Sequence, residues 1–387
     1  MPHYDAEDIV ELKNRKKRHK RRMKLLVALL VIFVVFGLYH YRSVWLPKLQ
    51  GIGKQYSMIT NDGKLAEGNF PIEINSGAEY QLSYGDDTLY LLSDAYIYYY
   101  NTDGGRLKKR QHAYTNSVMS SAGEYVLVFE SGGDELTVET ENKILYSKNF
   151  DSPIIFAKVS GKGYLAVVTA SDNYACELTV FDDEGEKVYG RSCVERINDI
   201  SFTDGSSGCI LSYLGAENGA LATTVQKITF DSDKEKWRSP AIDTFGLDIY
   251  DYDGGVSVIG YTACAYVDNS GQISSYYKYD GDFAGGDSKS GKTSVIINDD
   301  DRRKYTLALF DGAQNPVIVE FDSPLKYTQV YDGLAYVMNQ NVIEAYDFKG
   351  NLRSRAEISD SYDEFRRSDE YIFLMSYNRV DRIDYES

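Results

Sequence analysis

The sequence is poor in the residues that most often perform acid–base chemistry and bind metals. Of 387 residues, 4 are histidine and 2 are tryptophan. Three of the histidines, His3, His19 and His40, precede residue 41. His112 is therefore the single histidine available to the rest of the chain as a general base or metal ligand. A Ser-His-Asp triad or a histidine-rich zinc site is not expected, and we interpret His112, in "RLKKRQHAY", as a surface histidine of an outer strand.

The sequence also contains only one long apolar run. Residues 13–24 hold nine Lys or Arg, and residues 25–41, "LLVALLVIFVVFGLYHY", follow directly. At about 1.5 Å per helical residue this segment and its flanks reach the thickness of a bilayer. The positive-inside rule places the basic block in the cytoplasm. We therefore predict one transmembrane helix at the cytoplasmic membrane, with the N-terminus inside and all later residues outside.

A cleaved signal peptide is the alternative interpretation of this N-terminus, because it also combines a basic region with an apolar core. No small-x-small cleavage site is visible in "FGLYHYRSVWLPK", which favours an uncleaved anchor. The predicted organisation is a basic cytoplasmic tail (1–24), a transmembrane helix (25–41), a stalk (42–55) and an extracytoplasmic domain (56–387).

The charge of the chain changes sign after the apolar segment. Residues 1–47 carry 10 basic and 4 acidic side chains, so the totals of 42 and 58 leave 32 basic and 54 acidic side chains for residues 48–387. The outer part is thus about 22 units negative. Such a surface repels nucleic acid and anionic lipid and suits cations or basic partners. Nucleotide triphosphates are scarce outside the cytoplasm, so no nucleotide is expected either.

The outer part contains a repeat. Proline is sparse at 7 residues, tyrosine is abundant at 34, and short apolar runs recur about every 40 residues, the period of a four-stranded propeller blade. The eight runs are "TLYLLS" at 88, "YVLVF" at 125, "YLAVVT" at 164, "CILSYL" at 209, "VSVIGY" at 256, "SVIIN" at 294, "LAYVM" at 334 and "YIFLMS" at 371. We predict an all-β, eight-bladed β-propeller, or a seven-bladed one if the longer fourth repeat is misassigned.

Each apolar run follows a turn cluster, and one cluster imitates a nucleotide-binding loop. "GDSKSGKT", Gly286 to Thr293, fits G-x-x-x-x-G-K-[ST], but a phosphate loop must open a helix, and here "SVIIN" reads as a strand. Its position in the repeat predicts a β-turn that leads into the innermost strand of a blade. After each run, turns such as "FDDEG" and "YDFKG" supply the Asp, Asn and Gly that hairpins need.

The two ends of the outer part predict how the ring closes. The chain finishes on "RVDRIDYES", which resembles the third strand of a blade with no fourth, and "ITNDGKLAEGNFPIEI" near residue 60 resembles a hairpin arm without its blade. Pairing the two segments would complete the last blade and remove an open sheet edge.

With its basic tail, single apolar segment and forty-residue repeat, the chain resembles quinoprotein-like and WD-repeat-like propellers. It is more similar to the uncharacterised, single-pass, membrane-anchored propeller proteins of Firmicutes that carry a domain of unknown function. The resemblance covers about residues 56–387. It implies a membrane-tethered extracytoplasmic propeller and brings no catalytic residues.

Cofactor and metal sites are not identified from the sequence. A bound quinone is not expected, because Trp237 is the one tryptophan beyond the anchor and repeated tryptophan docking motifs are missing. Carboxylates cluster at two places, Asp248, Asp251 and Asp253, and Asp299–Asp301, but neither has the spacing of a helix-loop-helix calcium site. Solvated turn residues are the favoured interpretation of both, with weak calcium binding as the alternative.

The four cysteines, Cys176, Cys193, Cys209 and Cys264, all follow the anchor, in a compartment where disulfides persist. "CELTVF" and "KVYGRSC" flank a predicted turn, so Cys176 and Cys193 should lie near each other on adjacent strands. A disulfide between them and two free buried thiols are the two possibilities. The partner of Cys209 cannot be deduced.

The most consistent function is a non-enzymatic binding or scaffold module of the cell envelope. Its partner would be an envelope protein or a cell-wall glycan, bound through the top face or the central channel. The alternative is a carboxylate-based glycoside hydrolase acting on envelope polysaccharide. A sensor that signals to the tail is less consistent, because the tail holds no recognisable signalling domain.

Overall fold

The computed structural model describes residues 59–61, 64–66, 68–74, 79–217, 219–232, 234–359 and 361–385. These residues belong to one compact unit, Met58–Ser387, and form eight β-sheets arranged as the blades of a propeller. The predicted tail, transmembrane helix and stalk lie outside the described residues. In the part of the chain that is described, no helix is both long enough and apolar enough to span a membrane.

Each blade is an antiparallel meander whose first strand lies at the central channel and whose last strand lies at the rim. The strands of blades 1 to 4 are β3–β6 (Gln81–Gly85, Thr88–Leu92, Tyr96–Asn101, Arg106–Gln111), β7–β10 (Ser117–Ala122, Tyr125–Glu130, Glu135–Glu139, Ile144–Asn149), β11–β14 (Ile154–Val159, Leu165–Thr169, Cys176–Phe181, Lys187–Cys193) and β15–β18 (Arg196–Phe202, Gly208–Glu217, Ala220–Thr229, Trp237–Arg238).

Blades 5 to 8 follow the same plan, and two short N-terminal strands, β1 (Ile59–Asn61) and β2 (Ile72–Glu73), are added to the last two of them. The strands are β19–β22 (Gly246–Tyr252, Gly255–Gly260, Ala263–Asp268, Ile273–Lys278), β23–β26 (Asp282–Lys289, Lys292–Asp299, Lys304–Asp311, Val317–Phe321), β27–β30 (Tyr327–Tyr331, Leu334–Met338, Val342–Tyr346, Leu352–Glu357) and β31–β33 (Glu364–Ser368, Tyr371–Ser376, Arg379–Asp384).

The eight apolar runs are the second strands of the eight blades, so the predicted blade number is correct. Their predicted place at the channel is wrong. β4, β12 and β28 are buried at every position, because a second strand is covered on both faces by the neighbouring blades, whereas a first strand has one edge towards the channel. Burial of each such Leu, Val or Ile contributes about 1.5–3 kcal/mol, so the core lies between the blades.

The ring closes as the chain ends predict. β2 pairs antiparallel with β33, with Ile72 opposite Val380, and Leu65 bridges to Ile383. The N-terminal segment therefore supplies the fourth strand of blade 8. β1 differs from the predicted hairpin arm, because it pairs parallel with β30 and becomes a fifth strand of blade 7. In both places the N-terminal segment covers an otherwise unpaired sheet edge.

Apolar packing of the N-terminal strand β2 contributes to closing the ring of blades, and this contribution can be tested. Ile72 is buried with Phe373 and Val380 between blades 8 and 1. We expect Ile72→Ala to lower the free energy of unfolding by about 2–4 kcal/mol, because it leaves a cavity in that layer. The matched control is Ile144→Ala in β10, where the side chain is 55% exposed and a change within about 0.5 kcal/mol is expected. Equal effects of the two substitutions in denaturant titrations would contradict this account of closure.

Candidate functional site

The first strands of the blades line the channel with polar side chains, and these side chains join each blade to the next. Six of the eight blade interfaces have a hydrogen bond between a side chain of one first strand and the backbone of the following one, at 2.7–3.3 Å. The pairs, side chain first, are Gln81 with Met119, Ser120 with Val159, Asp199 with Ile249, Asp287 with Val330, Gln329 with Arg367 and Arg366 with Leu82.

The other two interfaces use pairs of side chains. Between blades 3 and 4, Lys158 Nζ lies 2.5 Å from Asp199 Oδ1. Between blades 5 and 6, the hydroxyls of Ser257 and Ser288 are 2.8 Å apart. Polar groups in the channel and, between blades 5 and 6, the buried serine pair of β20 and β23 therefore hold the ring together. Their presence is not by itself evidence of catalysis.

Asp248, on β19, is a channel carboxyl whose surroundings disfavour its ionised form. Burial raises its pKa, the negative charges of Asp199 and Asp287 raise it further, and Lys158 offsets the effect only in part. Burial also raises the pKa of Asp287. Asp199, Asp248 and Asp287 thus place three carboxyl groups on the walls formed by blades 4 to 6.

One end of the channel opens into a cavity of about 1130 Å³. It lies where the first strands of blades 2 to 6 end and turn towards the second strands, with further residues from β17 and from the β21–β22 turn, and we call it the mouth. Hydroxyls, lysines, carboxylates and aromatic rings line it, including Ser160, Lys162, Ser206, Lys227, Asp204, Asp251, Asp253, Tyr250, Tyr252 and Asn269. Such a lining can donate and accept hydrogen bonds and also offers flat apolar surfaces.

The carboxyl group of Asp251, in the lining of the mouth, has a raised pKa. Burial raises its pKa, while Lys227, whose Nζ lies 3.8 Å from Asp251 Oδ1, lowers it. The charges of Asp204 and Asp253 raise it further. The surroundings of this half-buried carboxyl group therefore favour its protonated form more than solvent would.

The sequence that imitates a nucleotide-binding loop is a hairpin, as predicted. β23 ends at Lys289, Ser290 and Gly291 turn with φ of 54° and 78°, and β24 begins at Lys292. A Cβ on Gly291 would lie 2.6 Å from a ring carbon of Tyr252, so glycine is required there. Lys292 Nζ binds Asp311 Oδ1 at 2.9 Å. No helix follows this turn.

His112 lies one residue beyond the outer strand β6 and is half-buried, whereas the sequence predicted a surface residue of that strand. Its Nε2 is 3.0 Å from the carbonyl oxygen of Ser93, and its ring stacks on Tyr114. Burial lowers its pKa, so it is neutral at physiological pH.

The two carboxylate clusters considered for calcium do not form compact ligand sets. Asp248 faces the channel, whereas Asp251 and Asp253 line the mouth. Asp299 accepts a hydrogen bond from the Arg302 backbone and pairs with its guanidinium at 3.2 Å. Among the described residues no three His, Cys, Asp or Glu side chains are grouped to hold a metal ion.

Cys176 and Cys193 lie directly opposite each other on β13 and β14, so the predicted neighbourhood is present, with both as buried free thiols. The Cys176 thiol donates to the Glu195 carbonyl and the Cys193 thiol to the Arg191 carbonyl. The proximity of the two thiols lowers the pKa of Cys176 and, together with burial, raises the pKa of Cys193. Burial raises the pKa of Cys209 and Cys264. The disulfide remains a prediction.

The inner-strand residues Lys158, Asp199 and Asp287 were not singled out from the sequence. One signal could have found them: polar residues recur in the strand just before each apolar run, as in "AKVSG" and "NDISF". Their pairing across blades could not be seen, because it depends on the angle between successive sheets.

Residues 63–258 match the family of unknown function DUF5711. The chain belongs to this family. No curated protein matches it.

The solved structures that are similar to this DUF5711 chain are propellers of low sequence identity, so they show the fold alone. A computationally designed protein, Ika8, has a TM-score of 0.62 and 12% identity over 81% of this chain and 98% of that one. BamB from Moraxella catarrhalis has a TM-score of 0.55 and 11% identity over 83% and 99%. Sqt1 of Saccharomyces cerevisiae has a TM-score of 0.62 and 8% identity over 85% and 100%.

The raised pKa of Asp248 predicts a dependence of stability on pH. A carboxyl whose folded pKa lies above its unfolded value of about 3.9 stabilises the fold below that value and loses the contribution as pH rises through the folded pKa. Asp248→Asn should therefore raise the melting temperature at pH 7, with the gain shrinking towards pH 4. Asp253→Asn, at an exposed turn, is the control and should change little at either pH. A gain that grows on acidification would contradict this interpretation.

The cysteine pair predicts a specific oxidation product. With a small-molecule disulfide as oxidant, the Cys176 and Cys193 thiols should lose two protons and two electrons and form one disulfide, stabilising the fold by up to about 3 kcal/mol. Mass spectrometry of unreduced digests should find the two peptides joined and Cys209 and Cys264 alkylated. Cys176→Ser should leave Cys193 open to alkylation after unfolding. Free thiols at both positions in the oxidised protein would exclude the bond.

Proposed function

We propose that this DUF5711 propeller is a non-enzymatic binding module of the cell envelope that holds its partner at the mouth of the channel. The observation that carries the proposal is the cavity of about 1130 Å³, lined by strand ends and turns from five consecutive blades. Turns on a closed ring of sheets keep fixed relative positions, so a partner meets a preformed surface and little ordering is required on binding.

The lining of the mouth supports a polar partner. Lys162 is exposed at its edge, while Lys158 and Lys227 are engaged by Asp199 and Asp251. With hydroxyls interleaved between these charges, the lining suits groups that both donate and accept hydrogen bonds. An envelope protein or a cell-wall glycan has such groups, whereas nucleic acid is disfavoured by the negative charge of the domain.

Location is part of the proposal. Residues 25–41 would anchor the chain in the cytoplasmic membrane with the basic tail inside, and the propeller would face the envelope. The support is the order of a basic block, one apolar segment and an acidic domain in the sequence.

A second candidate, a carboxylate-based glycoside hydrolase, is favoured by one observation. Asp251 has a raised pKa and lies in the mouth with Asp204, Asp253 and the ring of Tyr252. A hydrolase of this kind needs an acid kept protonated and a second carboxylate across the substrate. In that case Asp251→Asn would abolish the release of soluble fragments from envelope polysaccharide by the purified full chain.

Photocrosslinking in intact cells tests the binding module. The photoreactive residue benzoylphenylalanine replaces Lys162 in the full chain, and the adducts are identified by mass spectrometry. The matched control is the same replacement of Tyr377, which is exposed at the opposite end of the channel. We expect one recurrent adduct from position 162 that is missing from position 377. Identical adducts from both positions, or none from 162, would contradict binding at the mouth.

A further inference from the structure

The end of the channel opposite the mouth carries an exposed apolar surface on blades 3 to 5. Four large side chains are exposed there: Tyr174 by 47%, Val194 by 81%, Leu221 by 58% and Tyr261 by 56%. Tyr174 and Tyr261 lie in the turns between the second and third strands of blades 3 and 5, Val194 connects blades 3 and 4, and Leu221 is on the long hairpin of blade 4. We call this set the apolar face.

Two hydrogen bonds relate neighbouring members of the apolar face, one beside Tyr174 and Val194 and one between the blade 4 hairpin and blade 5. The Ala175 N–H donates to the Cys193 carbonyl at 2.9 Å, which sets Tyr174 beside Val194. On the hairpin of blade 4, Leu221 is two residues from Thr223 and therefore on the same side of the strand. The Thr223 hydroxyl donates to the Thr244 carbonyl at 2.8 Å, which directs this side of the hairpin towards blade 5 and Tyr261.

Three exposed carboxylates and one exposed cation, Arg196 at the start of β15, lie around the apolar face, so its rim has a net negative charge. Asp172 lies beside Tyr174 in the same turn, Glu217 ends β16 at the hairpin, and Asp243 precedes blade 5. All three are exposed, and no lysine or arginine of the described residues forms an ion pair with them. An apolar centre with an acidic rim is complementary to a partner that presents an apolar side chain flanked by cations.

The chain itself carries such a segment on blade 1. β6, the outer edge strand, reads Arg106-Leu107-Lys108-Lys109-Arg110-Gln111. Leu107 is 46% exposed, and within the described ranges no carboxylate pairs with Arg106, Lys108 or Lys109. Lys109 extends over the Tyr96 ring, 3.5 Å from its centre. We call residues 106–109 the basic edge.

We propose that the apolar face of one molecule binds the basic edge of a second copy of this chain. Leu107 would enter between Val194 and Leu221, and the cations of the basic edge would meet Asp172 and Glu217. Both halves are present on every molecule, and blades 1 and 5 lie on opposite sides of an eight-bladed ring, so one molecule cannot satisfy its own sites. The contact is head-to-tail and links molecules in a row.

A different role for the basic edge makes the opposite prediction. Lysines on an edge strand prevent it from pairing with strands of other molecules. If that were their function here, removing the charges would increase self-association. The proposed contact requires that removing them decreases it.

Photocrosslinking of the full chain in phosphatidylcholine nanodiscs or detergent micelles is the first test. Benzoylphenylalanine in place of Leu107 should yield a covalent dimer whose adducts map to residues 172–174, 194–196, 217–221 or 261. The same residue in place of Val317, exposed on the edge strand of blade 6, is the matched control and should yield no such dimer. Adducts from position 107 to lipid, to another region of the chain or to nothing would overturn the proposal.

Charge exchange is the decisive test. Lys108→Glu with Lys109→Glu, and separately Asp172→Lys with Glu217→Lys, should each reduce the crosslinked dimer by at least about tenfold. Mixing the two variants should restore it, because each supplies the charge that the other now needs. Leu107→Ser gives an independent loss if a charge variant folds poorly. Failure of the mixture to recover, or more dimer without the lysines, would refute the contact. Adducts from position 162 at the mouth report on the proposed function separately.

Discussion

The structure depends on how the first strand of each blade satisfies its backbone at the channel. Each of these strands pairs on one side only, and unpaired buried N–H and C=O groups are costly. At six of the eight interfaces a side chain of the preceding blade supplies a missing partner, as Asp199 does for the Ile249 amide and Asp287 for the Val330 amide. The same bonds set the spacing between blades, so the channel, the mouth and the turns around it take fixed positions.

This constraint explains why an acidic channel is compatible with a stable ring. Asp199 is tied to a lysine and to an amide, and its charge is used in joining three blades. Asp248 also faces the channel, where burial and the charges of Asp199 and Asp287 raise its pKa. Carboxylates that join blades, such as Asp199, therefore lie close to carboxylates that face solvent at the mouth, such as Asp253. The two kinds differ in their hydrogen-bond partners.

The repeat, the closure and the hairpin at residues 286–293 were predictable because each rests on local order. Apolar runs at a forty-residue period mark strands that must be covered on both faces, and Ser290 with Gly291 marks a turn. The first strands were less visible, since their polar residues resemble those of any exposed strand. β1 was misjudged because a parallel pairing with β30 leaves no signature in a three-residue segment.

The sequence by itself determined the propeller architecture, the segment that closes the ring and the placement of Cys176 and Cys193 on adjacent strands, because strand periodicity and hairpin length act over neighbouring residues. It favoured eight blades over seven, and the structure decided between them. Only the tertiary structure decided which polar side chains meet. Lys158 reaches Asp199, and the turns of blades 2 to 6 converge on one cavity, because the angle between successive sheets brings together residues that lie about forty or more positions apart in the chain.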